Sequence, residues 1–199
     1  MTDNGSHSVT PYFYELRLAT CNLTVFLDFL RAIKNLRILD LSRNYISNHI
    51  PAWAVEIGSP NLIYLDLTNN SITGLSEFKS DGLQYLYLQS NLLQGPLPPW
   101  VCNLKYLKYL DISYNNSTEL VPQCLQNMSS SLVFLNVKFN MIQGPNPTTI
   151  CNMGNLMYLN MSYNSFHGLI PQCLPNISSS LVSLDVKFNT IQGLFPTTM

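Results

Sequence analysis

An α/β solenoid bent into a horseshoe is the fold this sequence predicts, with a parallel β-sheet on its concave face and 3-10 or irregular turns on its convex face. Three observations predict it. Leu (32) and Asn (22) together exceed a quarter of the 199 residues, a bias that asks for a repeat in which each type has a fixed position. The string L-x-x-L-x-L-x-x-N recurs as LRILDLSRN from Leu36, LIYLDLTNN from Leu62, LQYLYLQSN from Leu83, LKYLDISYN from Leu107, LVFLNVKFN from Leu132, LMYLNMSYN from Leu156 and LVSLDVKFN from Leu181. Within each string the apolar positions alternate with the period of a strand.

The starts are separated by 26, 21, 24, 25, 24 and 25 residues, which is the leucine-rich-repeat period. An eighth copy, FYELRLATC from Phe13, carries Cys21 where the others carry Asn. The expected organisation is an irregular segment over 1–12 and one repeat domain over 13–199, with repeats starting near 13, 36, 62, 83, 107, 132, 156 and 181.

Each element has a physical reason. Leu39 and Leu41, or Leu110 and Ile112, share the inward face of a short strand that pairs in parallel with the strand of the next coil, because alone it is too short to be stable. Asn44, Asn70, Asn91, Asn115, Asn140, Asn164 and Asn189 mark where the chain leaves the sheet and turns inward. A buried amide there satisfies backbone groups of neighbouring turns, a structural role. Cys21 in the same slot is expected as a small buried side chain. Ser117, Glu119 and Asn146 replace an apolar residue or Gly, and local loosening is expected around them.

Several copies continue past the Asn as L-x-G-x-I-P, for example Phe166-His-Gly168-Leu-Ile170-Pro171 and Leu93-Gln-Gly95 to Pro98. This resembles the plant-specific class of leucine-rich repeats found in receptor kinases, receptor-like proteins and polygalacturonase inhibitors. The stretch LRLATCNLTVFLDFLRAIKNLRILDLSRNYISNHIPAW is similar to a segment of plant receptor-like proteins. Leu27 departs from the usual Pro, and Asn48 from the usual Gly. The resemblance implies a ligand-recognition module of a cell-surface receptor in defence or developmental signalling, acting with a receptor-kinase co-receptor. Two alternatives stay open: a secreted polygalacturonase-inhibitor-like protein, and a truncated product that signals nothing.

Residues 107–150 align without gaps on 156–199 at 28 of 44 positions. A paired-coil unit has been duplicated, as solenoids permit when each repeat contacts only its neighbours.

Outward positions of the sheet carry the candidate binding residues. One column includes Tyr64, Tyr85, Tyr109, Phe134 and Tyr158; another, just before the Asn, includes Tyr114, Phe139, Tyr163 and Phe188. Rows of exposed aromatics offer large contact area at low entropy cost and suit a protein or peptide ligand. Tyr87 lies in a third column with Asp40, Asp66, Asp111, Asn136, Asn160 and Asp185, and Lys138 and Lys187 are offered to acidic groups. Asp in L-D-L reads as a repeat default, so no catalytic residue is expected.

A net charge of −1 with 11% charged residues gives no electrostatic reason to expect nucleic acid. The three histidines are scattered without a metal-ligand set, and no phosphate-cradling or kinase signature occurs, so neither metal nor cofactor is expected. The N-terminus lacks a basic and apolar leader, and no stretch reaches the length of a membrane span. Eight N-x-S/T sequons nonetheless exceed chance; Asn22, Asn69, Asn116, Asn127, Asn160 and Asn176 are the candidate glycosylation sites, which implies a parent at the extracellular face of the plasma membrane. With Met199 close behind Pro196 and no polar capping segment, the chain is expected to be a portion of a longer solenoid. Of the five cysteines, Cys102, Cys124, Cys151 and Cys173 are expected as buried hydrophobes, with Cys102–Cys124 and Cys151–Cys173 bridges as the other option.

Overall fold

The structure, a computed structural model, describes residues 12–77, 82–119, 123–128, 130–173 and 180–193. Eight coils each contribute one three-residue strand to a single parallel sheet: Glu15–Arg17, Ile38–Asp40, Tyr64–Asp66, Tyr85–Tyr87, Tyr109–Asp111, Phe134–Asn136, Tyr158–Asn160 and Ser183–Asp185. Strand order follows chain order without a crossover. The register is strict, so Leu39, Leu65, Leu86, Leu110, Leu135 and Leu159 stack as one column, and each is almost wholly buried. Identical side chains at identical depth pack without voids, and each fully buried Leu contributes about 2 kcal/mol.

Behind the sheet, the convex side is made of 3-10 turns at Asp28–Ala32, Ala52–Glu56, Pro99–Asn103, Gln123–Met128 and Thr148–Asn152. Pro51, Pro98 and Pro147 precede three of them with extended backbone, which is the reason for the recurrent Pro. Leu27 adopts the same conformation, φ −79° and ψ 125°, so its departure from Pro costs the turn little. The Gly slot of the repeat needs left-handed backbone, with φ of +72° at Gly95 and +86° at Gly168. Asn48 meets that need at +69°, since Asn tolerates this region better than most residues. Small lateral sheets, which the sequence pattern does not announce, join successive coils after the Asn: Ser47–His49 with Ser71–Gly74, Gln94–Gly95 with Asn116–Ser117, and Gln143–Pro145, Ser165–Leu169 and Thr190–Gln192 together.

The asparagines tie the coils to one another. Asn91 Oδ1 accepts the Ile72 N–H of the preceding coil at 3.0 Å, and its Nδ2 donates to the carbonyls of Leu67 at 2.9 Å and Leu88 at 3.1 Å. Asn44, Asn70, Asn115, Asn140, Asn164 and Asn189 bond in the same way.

Three expectations need correction. Cys21 is exposed and unpaired, because no described coil lies over its slot on the outer side. The other four cysteines form disulfides, Cys102–Cys124 and Cys151–Cys173, rather than packing as free thiols. A sequence separation of 22 residues in each case is close to one coil, so both partners sit at the same point of successive convex turns. Their Cα atoms lie 5.7 and 5.6 Å apart, within bridging range. Glu119 is exposed and carries no buried-charge cost. Ser117 is buried with its N–H on Asn140 Oδ1 at 3.1 Å, while Asn146 is buried with its Oδ1 unpartnered among the described residues.

Two outcomes are expected. Asn91→Ala strands a buried N–H and two carbonyls and lowers stability by roughly 3 kcal/mol, read from the urea midpoint. Reduction of the bridges removes roughly 3 kcal/mol for each; unfolding compared with and without a phosphine reductant gives the difference.

Candidate ligand-binding face

The concave face is built by two backbone rules. Along each strand the outward residues are the first and third, such as Tyr109 and Asp111 flanking the buried Leu110. Just before every ladder Asn, the chain then places one residue in left-handed conformation: φ is 54° at Arg43, 53° at Asn69, 56° at Ser90, 55° at Tyr114, 49° at Phe139, 55° at Tyr163 and 54° at Phe188. For a bulky side chain this backbone is costly, of order 1–3 kcal/mol. It is held by the next coil: the Tyr114 N–H donates to the Lys138 carbonyl at 2.9 Å, Phe139 to Ser162 at 3.1 Å and Tyr163 to Lys187 at 3.0 Å.

These rules bring the sequence-predicted aromatics into two rows. In the first, ring centroids are 6.1 Å apart for Tyr64 and Tyr85, 5.0 Å for Tyr85 and Tyr109, 5.7 Å for Tyr109 and Phe134, and 6.2 Å for Phe134 and Tyr158. Tyr87 joins it through Tyr64 at 5.4 Å. Most of the row is half-buried, and Tyr158 is exposed. The second row is tighter and stands further out: Tyr114 and Phe139 at 4.7 Å, Phe139 and Tyr163 at 3.9 Å, Tyr163 and Phe188 at 4.2 Å, all stacked. Tyr114 is 48%, Phe139 37% and Phe188 63% exposed, with Tyr163 half-buried between its neighbours.

The acidic column has a structural task. Asp40, Asp66, Asp111 and Asp185 each accept, through Oδ1, the backbone N–H two residues on, and Asn136 and Asn160 do the same. Asp111 Oδ2 further accepts from Asn136 at 3.0 Å, and Asp185 pairs with Lys187 at 3.3 Å. Towards the first coils the face changes character. A polar hollow of about 420 Å³ opens between Asp40, Arg43, Asp66 and Asn69. Thr68 Oγ1 and Gln89 Oε1 are buried in it without partners among the described residues. Nothing in the sequence pattern marked Thr68 or Gln89, because their slot varies among Ser42, Ser113, Lys138, Ser162 and Lys187 in the other coils.

Burial holds the Tyr64 phenol well above its usual range, and the Asp66 carboxylate, which accepts its O–H at 3.2 Å, adds to the effect. Tyr87 is raised chiefly by burial and then by its neighbours Tyr109 and Tyr85.

Of the sequons, Asn22, Asn69 and Asn116 are exposed, whereas Asn115 is buried in the ladder. Asn160 is half-buried with its amide oxygen bound to the Ser162 N–H. Asn176 and the side chain of Asn127 lie outside the described residues.

A family profile described as leucine rich repeat matches residues 34–93 and 81–142, and a second matches 155–177. The chain belongs to the leucine-rich repeat family. Among curated proteins it is similar to receptor-like protein 32 of Arabidopsis thaliana, 34% identical over 136 residues that cover 64% of this chain and 15% of that protein. Among solved structures it is similar to the plant peptide hormone receptor RGFR1 in complex with RGF2, at 26% identity and a TM-score of 0.77, covering 84% of this chain and 27% of that one. It is similar also to the ectodomain of the Arabidopsis receptor kinase HAESA in complex with an IDA peptide hormone, at 28% identity and a TM-score of 0.74, covering 84% and 28%. This leucine-rich-repeat chain thus spans about 15% of the length of the receptor-like protein it matches. Among its described residues no helix is long and apolar enough to cross a membrane.

The raised phenols give a pH dependence. The folded chain favours neutral Tyr64 and Tyr87, so the stability they lend is fully present below pH ~10, the ordinary phenol value, and is lost as pH rises through their folded values. Ultraviolet titration is expected to show two phenols ionising late, with the unfolding free energy falling across the same alkaline range.

Proposed function

We propose that these coils are part of the extracellular recognition domain of a plant cell-surface receptor-like protein, in defence or developmental signalling. A protein or peptide ligand lies along the concave face, and a receptor-kinase co-receptor completes the signalling unit. The observation that carries the reading is the pair of aromatic rows, one of them standing on left-handed backbone and open to solvent. Such rows lie on the outward side of the sheet, opposite the buried Leu columns. They supply rigid apolar contact area. Similarity to receptor-like proteins, and to ectodomains solved with peptide hormones, supports the same reading. Two disulfides and exposed sequons fit an oxidising, glycosylating compartment.

The reading is of a binding module rather than an enzyme, because the acidic column serves the backbone. A dodecapeptide library sorted against the oxidised chain tests it. Selected peptides are expected to lose affinity by roughly tenfold or more when Tyr85 and Tyr109 become Ala, and to keep it when the convex Phe29 becomes Ala. No enrichment, or equal loss with Phe29→Ala, rejects recognition on this face.

A further inference from the structure

Resting on that reading, we infer that Tyr114, Phe139, Tyr163, Phe188 and Lys138 form a seat for an acidic side chain of an extended peptide, with its apolar neighbours laid along the ring edges. The four rings cover one another's faces, with centroids 4.7, 3.9 and 4.2 Å apart and planes within 22°. Along the stack, between its two end faces on Tyr114 and Phe188, ring edges are what a ligand meets, and the edge is the positive pole of an aromatic quadrupole. The Lys138 ammonium adds to that sign, lying 5.5, 5.0 and 5.5 Å from the centroids of Tyr114, Phe139 and Tyr163.

Lys138 lacks the acid that its duplicate has because of one difference between the duplicated units. In the later copy, Lys187 is paired with Asp185, two residues before it, at 3.3 Å. The equivalent residue beside Lys138 is Asn136, and its Nδ2 donates at 3.0 Å to Asp111, the carboxylate paired with it on the preceding strand. Among the described residues no carboxylate forms a salt bridge with Lys138. A cation lying against three rings without a salt bridge among the described residues is complementary to an acidic group brought by a partner.

The geometry favours a peptide over an acidic sugar. A pyranose ring stacks flat on an open aromatic face, and here the inner faces are taken by neighbouring rings. The four ring centroids span ~13 Å along the stack, about four residues of extended chain, which is room for one acidic residue and three apolar neighbours.

The test sorts the same dodecapeptide library at low salt against the wild-type chain and three variants whose thermal unfolding is measured first. Peptides enriched on the wild type are expected to carry Asp or Glu beside aromatic or aliphatic residues, with affinity falling as salt rises. Lys138→Met, which keeps the apolar stem, is expected to weaken them roughly tenfold, and Lys138→Arg to preserve them. Asn136→Asp, which restores the acid of the later copy, is expected to weaken them as Lys138→Met does. Asp185 accepts the same backbone N–H in the later copy that Asn136 accepts here, so this variant is expected to keep the coil, which its measured thermal unfolding checks. Enriched peptides without acidic preference, indifferent to Lys138→Met but sensitive to Tyr85→Ala and Tyr109→Ala, overturn the seat and leave the concave face as the binding surface. Absence of peptide enrichment, with oligogalacturonate binding lost in Lys138→Met, overturns it in favour of an acidic sugar.

Discussion

A single amide carries the architecture. Three-residue strands cannot hold a sheet on backbone pairing alone, and each coil leaves backbone groups buried where the chain turns inward. The ladder Asn answers both problems, because its oxygen takes an N–H from the coil before it while its nitrogen serves carbonyls of both coils. No other neutral side chain of that size offers an acceptor and two donors in one plane. The Leu columns supply most of the stabilisation, but the amide determines where each Leu falls.

The functional face follows from the same constraint. To aim the Asn inward, the preceding residue turns left-handed, and its side chain is directed out along the rim. A position with this cost would ordinarily select Gly or Asn, and Asn69 obeys that preference. Four consecutive coils instead place Tyr114, Phe139, Tyr163 and Phe188 there. Stacking between them offsets part of the strain, since aromatic pairs contribute about 0.5–1.5 kcal/mol beyond their buried area. Hydrogen bonds from Tyr114, Phe139 and Tyr163 to the next coil lock the geometry.

Much of this was legible in the residues alone, because a repeat states its rule many times over. Leu39, Asp40 and Asn44 recur with their neighbours often enough that strand, register, ladder and outward columns could be read from spacing. What escaped the reading depends on contacts between coils rather than on order within one. Whether Cys102 meets Cys124 turns on the stacking of convex turns, which differ in length from coil to coil. Cys21 was misjudged because its slot is covered only where another coil lies over it. The lateral sheets and the partnerless Thr68 and Gln89 carry no periodic signature. The left-handed position was visible as a column of aromatics, but not as a strained one.

Repetition also explains how one exchange acquires leverage. In a globular core a single Asp-to-Asn difference changes one environment. In a solenoid it changes one rung of a column whose other rungs persist, so the difference is displayed against a constant background. The duplicated units kept the aromatic row and both lysines, and differ in whether the lysine has an acid two residues before it. The sheet is indifferent to that choice, because Asn136 and Asp185 accept the same backbone N–H. A residue whose structural task is met equally by an acid or its amide is free to carry charge information to a ligand, and that freedom lets a rigid repeat diversify what it binds while its fold stays unchanged.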